Sequence, residues 1–309
     1  MSEKSKIEWT DATWNPLAGC TKCSPGCENC YAERMSHRLE SMQHQKDRKK
    51  YKHLWKYNEV ITCGAWNNSI YLDIPSLDKP LHWHKPRRIF VCSMSDLFHP
   101  KVPFDFIDKV MFTIYKSYSM GHTFQILTKR VRRMMKYFSG NVDGRIIGLF
   151  RRTDNRYTSE HRLTNSVNLL PRVRLGVSIS NQAEADEKIP IIIQIPAAFR
   201  WLSIEPLLSK INLTAWLDVQ EQEFTAKRNS KEIRSGSKSN IKNTSRQKLD
   251  LVVVGCESGP KRRPCKIEWV ESIVAQCKAA YVPVFVKQIN VNGKVVKMPK
   301  LFPQQSERR

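Results

Sequence analysis

The chain has 309 residues, 40% of them apolar, enough to build one large α/β domain without disulfide or metal staples. Lysine and arginine outnumber aspartate and glutamate by 52 to 29, and the net charge of +23 favours polyanionic partners such as tRNA or DNA in a salt-dependent way. The opening "MSEKSKIEW" carries charges where a signal peptide needs an apolar run. The most apolar later stretch, "IPIIIQIPAAF", is eleven residues long and is interrupted by Gln194 and Pro196, so a membrane span is excluded and a cytoplasmic protein is expected.

The first feature along the chain is "NPLAGCTKCSPGCENCYAERM", which places Cys20, Cys23, Cys27 and Cys30 within eleven positions. Two zinc knuckles usually have a longer loop between them than Ser24-Pro25-Gly26, so zinc here is possible but cramped. A thioredoxin-type pair would use only two of the four, and the bacterial ferredoxin run has a different spacing. Cys23-x3-Cys27-x2-Cys30 instead suits three thiolates on one iron-sulfur cluster, with Pro25 and Gly26 shaping the loop and a helix following from Tyr31. The other five cysteines (Cys63, Cys92, Cys256, Cys265, Cys277) are scattered, and in a reduced compartment they read as small core residues rather than a disulfide framework.

Residues 40–87 form a variable insertion with basic and aromatic character, including "KDRKKYKH" at 46–53 with Tyr51, Trp55 and Tyr57 nearby. Such a mixture fits phosphate and base contacts, and fits core packing equally. Beyond it, six nearly continuous apolar runs read as buried parallel strands: 88–94, 123–128, 174–180, 199–205, 249–255 and 282–288. Helical stripes lie between them at 104–118, where Asp105 and Asp108 suit the first turns, and at 266–281. The alternation predicts βαβ units and a parallel sheet, a partial TIM-like barrel of about six strands in one α/β domain spanning 1–309.

Chemistry in such a barrel gathers where the strands end. The ends offer Lys129 and Arg130, Ser178, Ser180 and Asn181, Glu205, Glu257, and Lys287. The segment 219–248 breaks the rhythm with eight Lys/Arg against three Glu, and reads as a basic insertion that is either a nucleic-acid arm or a solvated loop.

Together, "KIEWTDATWNP", the cysteine loop, "RIFVCSMSDLFH", "FQILTKR", "LGVSISNQ", "FRWLSIEPLL", "VVVGCESGP" and "WVESIVAQCKAAYVPVFVKQ" resemble an uncharacterised family of phage and bacterial proteins. That family is regarded as related to radical S-adenosylmethionine enzymes, near spore photoproduct lyase. The resemblance implies a [4Fe-4S] cluster with one open iron that chelates S-adenosylmethionine. It implies a 5'-deoxyadenosyl radical abstracting hydrogen from a substrate, and an electron donor such as flavodoxin or ferredoxin. The family spacing C-x6-C-x2-C falls on Cys20, Cys27 and Cys30, whereas the general superfamily spacing selects Cys23, Cys27 and Cys30. Tyr31, Ser178, Ser180, Asn181, Glu205 and Glu257 are then candidates for holding the cofactor, and Lys129, Arg130 and Lys287 for an anionic substrate. Cys256 stands where the family has glycine and reads as a neutral replacement, an extra ligand or a redox thiol. The expected reaction is modification or repair of nucleic acid; a zinc-stabilised binding protein and a radical enzyme for small molecules or peptides are the alternatives.

Overall fold

The computed structural model describes residues 5, 7–43, 52–153, 172–217 and 248–297. The 219–248 insertion lies outside these residues except for Lys248, as do residues 44–51 of the 40–87 insertion. The spine is an eight-stranded sheet of β1 (Ala12–Trp14), β2 (Arg88–Val91), β3 (Thr123–Thr128), β4 (Val173–Ile179), β5 (Phe199–Ile204), β6 (Leu251–Gly255), β7 (Val284–Val291) and β8 (Lys294–Lys297). The six expected strands are β2 to β7, each within a few residues of its expected bounds. All neighbours from β1 to β7 pair in parallel, and β8 returns antiparallel on β7.

Strand order in space equals strand order in the chain, without the reversal that defines a doubly wound sheet. The described sheet is open between β1 and β8. A closed barrel is therefore absent among the described residues, and the expectation holds only at the coarser level of a partial α/β fold.

The helices α2 (Phe104–Lys116), α3 (Val131–Phe138), α4 (Val142–Thr153), α5 (Gln182–Gln194), the single turn α6 (Thr214–Leu217) and α7 (Ile267–Ala279) share one apolar core with one face of the sheet. The stripes explain this: Phe106, Ile107, Val110, Met111 and Ile114 of α2, and Val270, Ile273, Val274 and Cys277 of α7, are buried. Asp108 departs from expectation. It is buried and accepts hydrogen bonds from Tyr137 Oη at 2.7 Å and Arg145 Nε at 2.9 Å, so it ties α2 to α3 and α4 rather than serving the helix dipole. A smaller core joins α1 (Tyr31–Gln43) to Leu54, Tyr57, Val60 and Ile61 of the insertion, which therefore packs against the body of the molecule.

The opposite face of the sheet carries Leu127, Phe199, Trp201, Leu251, Val253 and Phe285, covered by Trp9 from the N-terminal segment. Trp9 stacks at an angle on Phe90 and Trp201, with ring centroids 4.7 and 5.2 Å away. Gly176 makes room for this plug, because a Cβ there would stand 2.3 Å from the Trp201 indole. Along this face the residues change from aromatic to polar toward the strand ends, where Lys129, Ser178, Ser203, Glu205 and Lys287 line a cavity.

Candidate functional site

The cavity has a volume of about 390 Å³ and sits on the open face, at the C-terminal ends of the strands. Trp9, Phe90 and Leu127 form its apolar floor, and Cys20, Cys27, Cys30 and Tyr31 belong to its wall. The cysteine loop reaches this place through its own sequence. Ser24 Oγ accepts from Gly26 N at 3.1 Å, Pro25 starts a short 3₁₀ turn, and Cys27 N donates to Ser24 O at 2.9 Å. Gly26 is the close-approach residue: a Cβ there would lie 3.2 Å from Pro206, 3.3 Å from Ser180 Oγ and 3.4 Å from Lys129 Nζ.

The four cysteines separate into different environments. Cys20, Cys27 and Cys30 line the cavity; Cys23 is exposed and is absent from the cavity wall. Burial, then the Asp96 carboxylate, pushes the Cys20 thiol up to about 12, and burial also raises Cys30. Cys23 donates its S–H to Cys27, which holds the Cys27 thiol well below its usual range, with the Lys129 ammonium adding to the effect. Among the described residues, no three His, Cys, Asp or Glu side chains converge on a position for a single metal ion. Thiolates that bind separate irons of a cluster need not share such a point.

The cations expected at the strand ends are present, and most are already paired. Arg130 Nη1 bonds Asp96 Oδ2 at 2.9 Å and lies 3.7 Å from Cys20 Sγ, while Nη2 donates to Thr21 O at 2.8 Å. Asp96 also accepts from Thr128 Oγ1 at 2.7 Å and Phe98 N at 2.9 Å. Lys287 Nζ bonds both oxygens of Glu205, at 2.7 and 3.0 Å, and Gln288 Nε2 donates to the same carboxylate at 3.1 Å. Lys129 Nζ donates to Ser178 Oγ at 2.5 Å. The structure thus brings Lys129, Arg130 and Lys287 together, as members of internal networks beside the thiols.

The cofactor candidates divide in the same way. Tyr31 is half exposed, but its hydroxyl is sunk into the wall and donates to the Ser93 carbonyl. Ser178, Glu205 and Glu257 line the cavity, whereas Ser180 and Asn181 serve the start of α5. Ser180 N and Oγ donate to Glu184 Oε2 at 2.7 and 2.5 Å, and Asn181 Oδ1 caps Glu184 N at 2.9 Å. Glu257 is fully engaged, accepting from Asn29 Nδ2 at 3.0 Å and from Arg263 through Nε at 3.0 Å and Nη2 at 2.6 Å. These bonds outweigh burial and hold the Glu257 carboxyl below its ordinary value.

Arg263 continues to Pro25 O and Glu28 Oε2, both at 2.9 Å, and so clamps the cysteine loop onto the end of β6. The sequence alone does not reveal this clamp, and it places Asp96 at a strand end without a role. Their only signals in the sequence are an acid just beyond the 88–94 run and an arginine in the basic stretch "GPKRRP" at 259–264. Cys256 and Cys265 also need correction: they are bonded to each other, with Cα atoms 5.7 Å apart, and neither is a free core thiol. The turn of Gly259, Pro260 and Pro264 brings them together.

The sequence profile of a family described as a protein of unknown function (DUF5131) matches residues 4–305. The chain belongs to this family. Membership in DUF5131 covers the cavity, the clamp and the whole sheet, but carries no activity and no link to radical S-adenosylmethionine enzymes or spore photoproduct lyase. No curated protein and no solved structure matches the chain. None of the described helices is long and apolar enough to cross a membrane.

Proposed function

We propose that this DUF5131 protein is a radical S-adenosylmethionine enzyme that modifies or repairs nucleic acid, with Cys20, Cys27 and Cys30 as the thiolate ligands of a [4Fe-4S] cluster. The observation that carries the reading is the placement of these three thiols in the wall of one cavity, at the C-terminal ends of a singly wound parallel sheet. The donor set fits the group, since soft thiolates are the usual ligands of iron-sulfur clusters. When bound, the cluster with S-adenosylmethionine supplies hydrogen abstraction by an adenosyl radical.

The chain's own residues do the rest. Arg130 and Lys129 stand beside Cys20 and Cys27 as countercharges, and Asp96 fixes Arg130. Trp9, Phe90 and Leu127 exclude water below the thiols. Glu205 and Lys287 orient each other at the far wall and present a carboxylate and an ammonium to a bound ligand. The net charge of +23 supports a polynucleotide substrate.

Anaerobic reconstitution followed by iron and acid-labile sulfide analysis tests the reading. About four irons per chain are expected in wild type and in Cys23→Ala, with loss in Cys20→Ala, Cys27→Ala and Cys30→Ala. One zinc and no iron in wild type would leave a zinc-stabilised binding protein instead.

A further inference from the structure

Every described contact that grips the cysteine loop from the β6 side arises within the ten residues bounded by Cys256 and Cys265. Asn29 Nδ2 donates to Glu257 Oε2 at 3.0 Å and to Lys261 O at 2.8 Å. Arg263 reaches Pro25 O and Glu28 Oε2, and Arg34 of α1 donates to Ser258 O at 3.4 Å. Glu257 follows one half-cystine and Arg263 stands two residues before the other, so the disulfide closes the ring that holds the two halves of the clamp together. The β6 end of this ring is anchored separately, through Cys256 N to Gln288 O at 3.0 Å and Gln288 Nε2 to Cys256 O at 2.7 Å. The Cys265 end lacks such depth. Cys256 is 1% exposed, whereas Cys265 is half-buried between exposed Pro264 and Lys266.

We propose that the Cys256–Cys265 disulfide is a redox latch that sets how firmly the cysteine loop is held over the cavity. A dithiol reductant, either a redox protein or dithiothreitol, attacks as a thiolate at Cys265, the less buried of the two half-cystines. The S–S bond breaks, Cys256 leaves as a thiolate and takes up a proton, and a mixed disulfide remains on Cys265. The second thiol of the reductant then displaces Cys265, so two electrons pass to the protein, the reductant ends as a disulfide, and both protein cysteines end as thiols. With the cross-link gone, Arg263 is kept beside Glu257 only by their hydrogen bonds and the open backbone loop between them, and the hold on Pro25, Glu28 and Asn29 weakens. A disulfide beside seven free cysteines in one chain is the pattern of a redox-sensing pair rather than of a stapled secreted domain. The latch does not depend on what the free thiols bind.

Thiol titration and amide hydrogen exchange on the metal-free protein test the latch. Air-oxidised, denatured protein should titrate seven thiols, the nine of the sequence less two; nine would overturn the proposal. Dithiothreitol should speed exchange across residues 20–30 about tenfold while the amides of β4 and β5 stay unchanged, as expected when a charge-assisted clamp loosens locally. Unchanged exchange in 20–30, or an equal rise throughout the sheet, would overturn it. Glu257→Gln, which weakens the clamp without touching either sulfur, should raise exchange in the oxidised protein. The Cys256→Ser/Cys265→Ser double variant should exchange fast and ignore dithiothreitol. A response to dithiothreitol in that variant would place the switch elsewhere and overturn the assignment.

Discussion

His99 shows how much a single side chain in this site is constrained. It is 2% exposed, its Nδ1 accepts from Lys101 N at 3.2 Å, and its Nε2 lies 2.9 Å from Thr21 Oγ1. With Nδ1 accepting, the proton sits on Nε2 and points at Thr21, the same hydroxyl that Arg130 approaches at 2.9 Å. A second proton would have to sit on Nδ1 against the Lys101 N–H and would place a positive charge in a buried site near Arg130; burial followed by Arg130 lowers the histidine to about 4 from 6.5. The unfolded chain binds the proton near pH 6.5 and the folded chain only near 4. The stability this residue contributes is therefore complete above 6.5 and is lost as pH falls toward 4. Across that window the loss is about 3 kcal/mol at most, because a tenfold change in proton affinity corresponds to about 1.4 kcal/mol. Urea unfolding between about pH 7 and 4.5 should show it, and His99→Gln should flatten that part of the profile; equal slopes in both proteins would contradict this account.

At the scale of elements, strands β2 to β7 were legible because each is a nearly unbroken apolar run between amphipathic stretches, as a strand buried on both faces requires. The cysteine loop was legible for a different reason, its local spacing. What escaped were features joined through space. Asn29 and Glu257 meet across 228 residues of sequence, and nothing in either neighbourhood announces the other. Edge elements also escaped: β1 has three residues and β8 four, too short for periodicity to register. Gly176 belongs to this class, since its meaning comes from Trp201 on the adjacent strand. Gly176→Ala should destabilise the protein by about 1–3 kcal/mol through overpacking, read as a fall in Tm. Trp201→Phe should recover part of that loss in the double variant, because the indole supplies the clash. Additive losses would show that the glycine matters for its backbone instead.

For the whole molecule, charge is the property with the longest reach. Inside the cavity wall Arg130, Lys287 and Lys297 are matched by Asp96, Glu205 and Glu8 and Lys129 adds one further cation, so the excess of +23 is carried mainly elsewhere on the chain. Polynucleotide attraction should accordingly be diffuse and strongly screened. A gel-shift series with tRNA should show binding at about 50 mM salt that weakens by about tenfold or more at about 200 mM, and Lys287→Ala should alter it little. Absence of a shift even at the lower salt would remove the support for a polynucleotide substrate.

The plug formed by Trp9 also bears on the order of assembly. It leaves the ribosome before any strand of the sheet, yet its resting place includes Trp201, 192 positions later (201 − 9). Most other sheet contacts join neighbours in the chain, so successive strand-helix units can settle as they emerge. The N-terminal segment has to wait for β5. Like the Asn29–Glu257 contact, its docking is a long-range event added to a mostly local fold, and until then the cavity floor is incomplete.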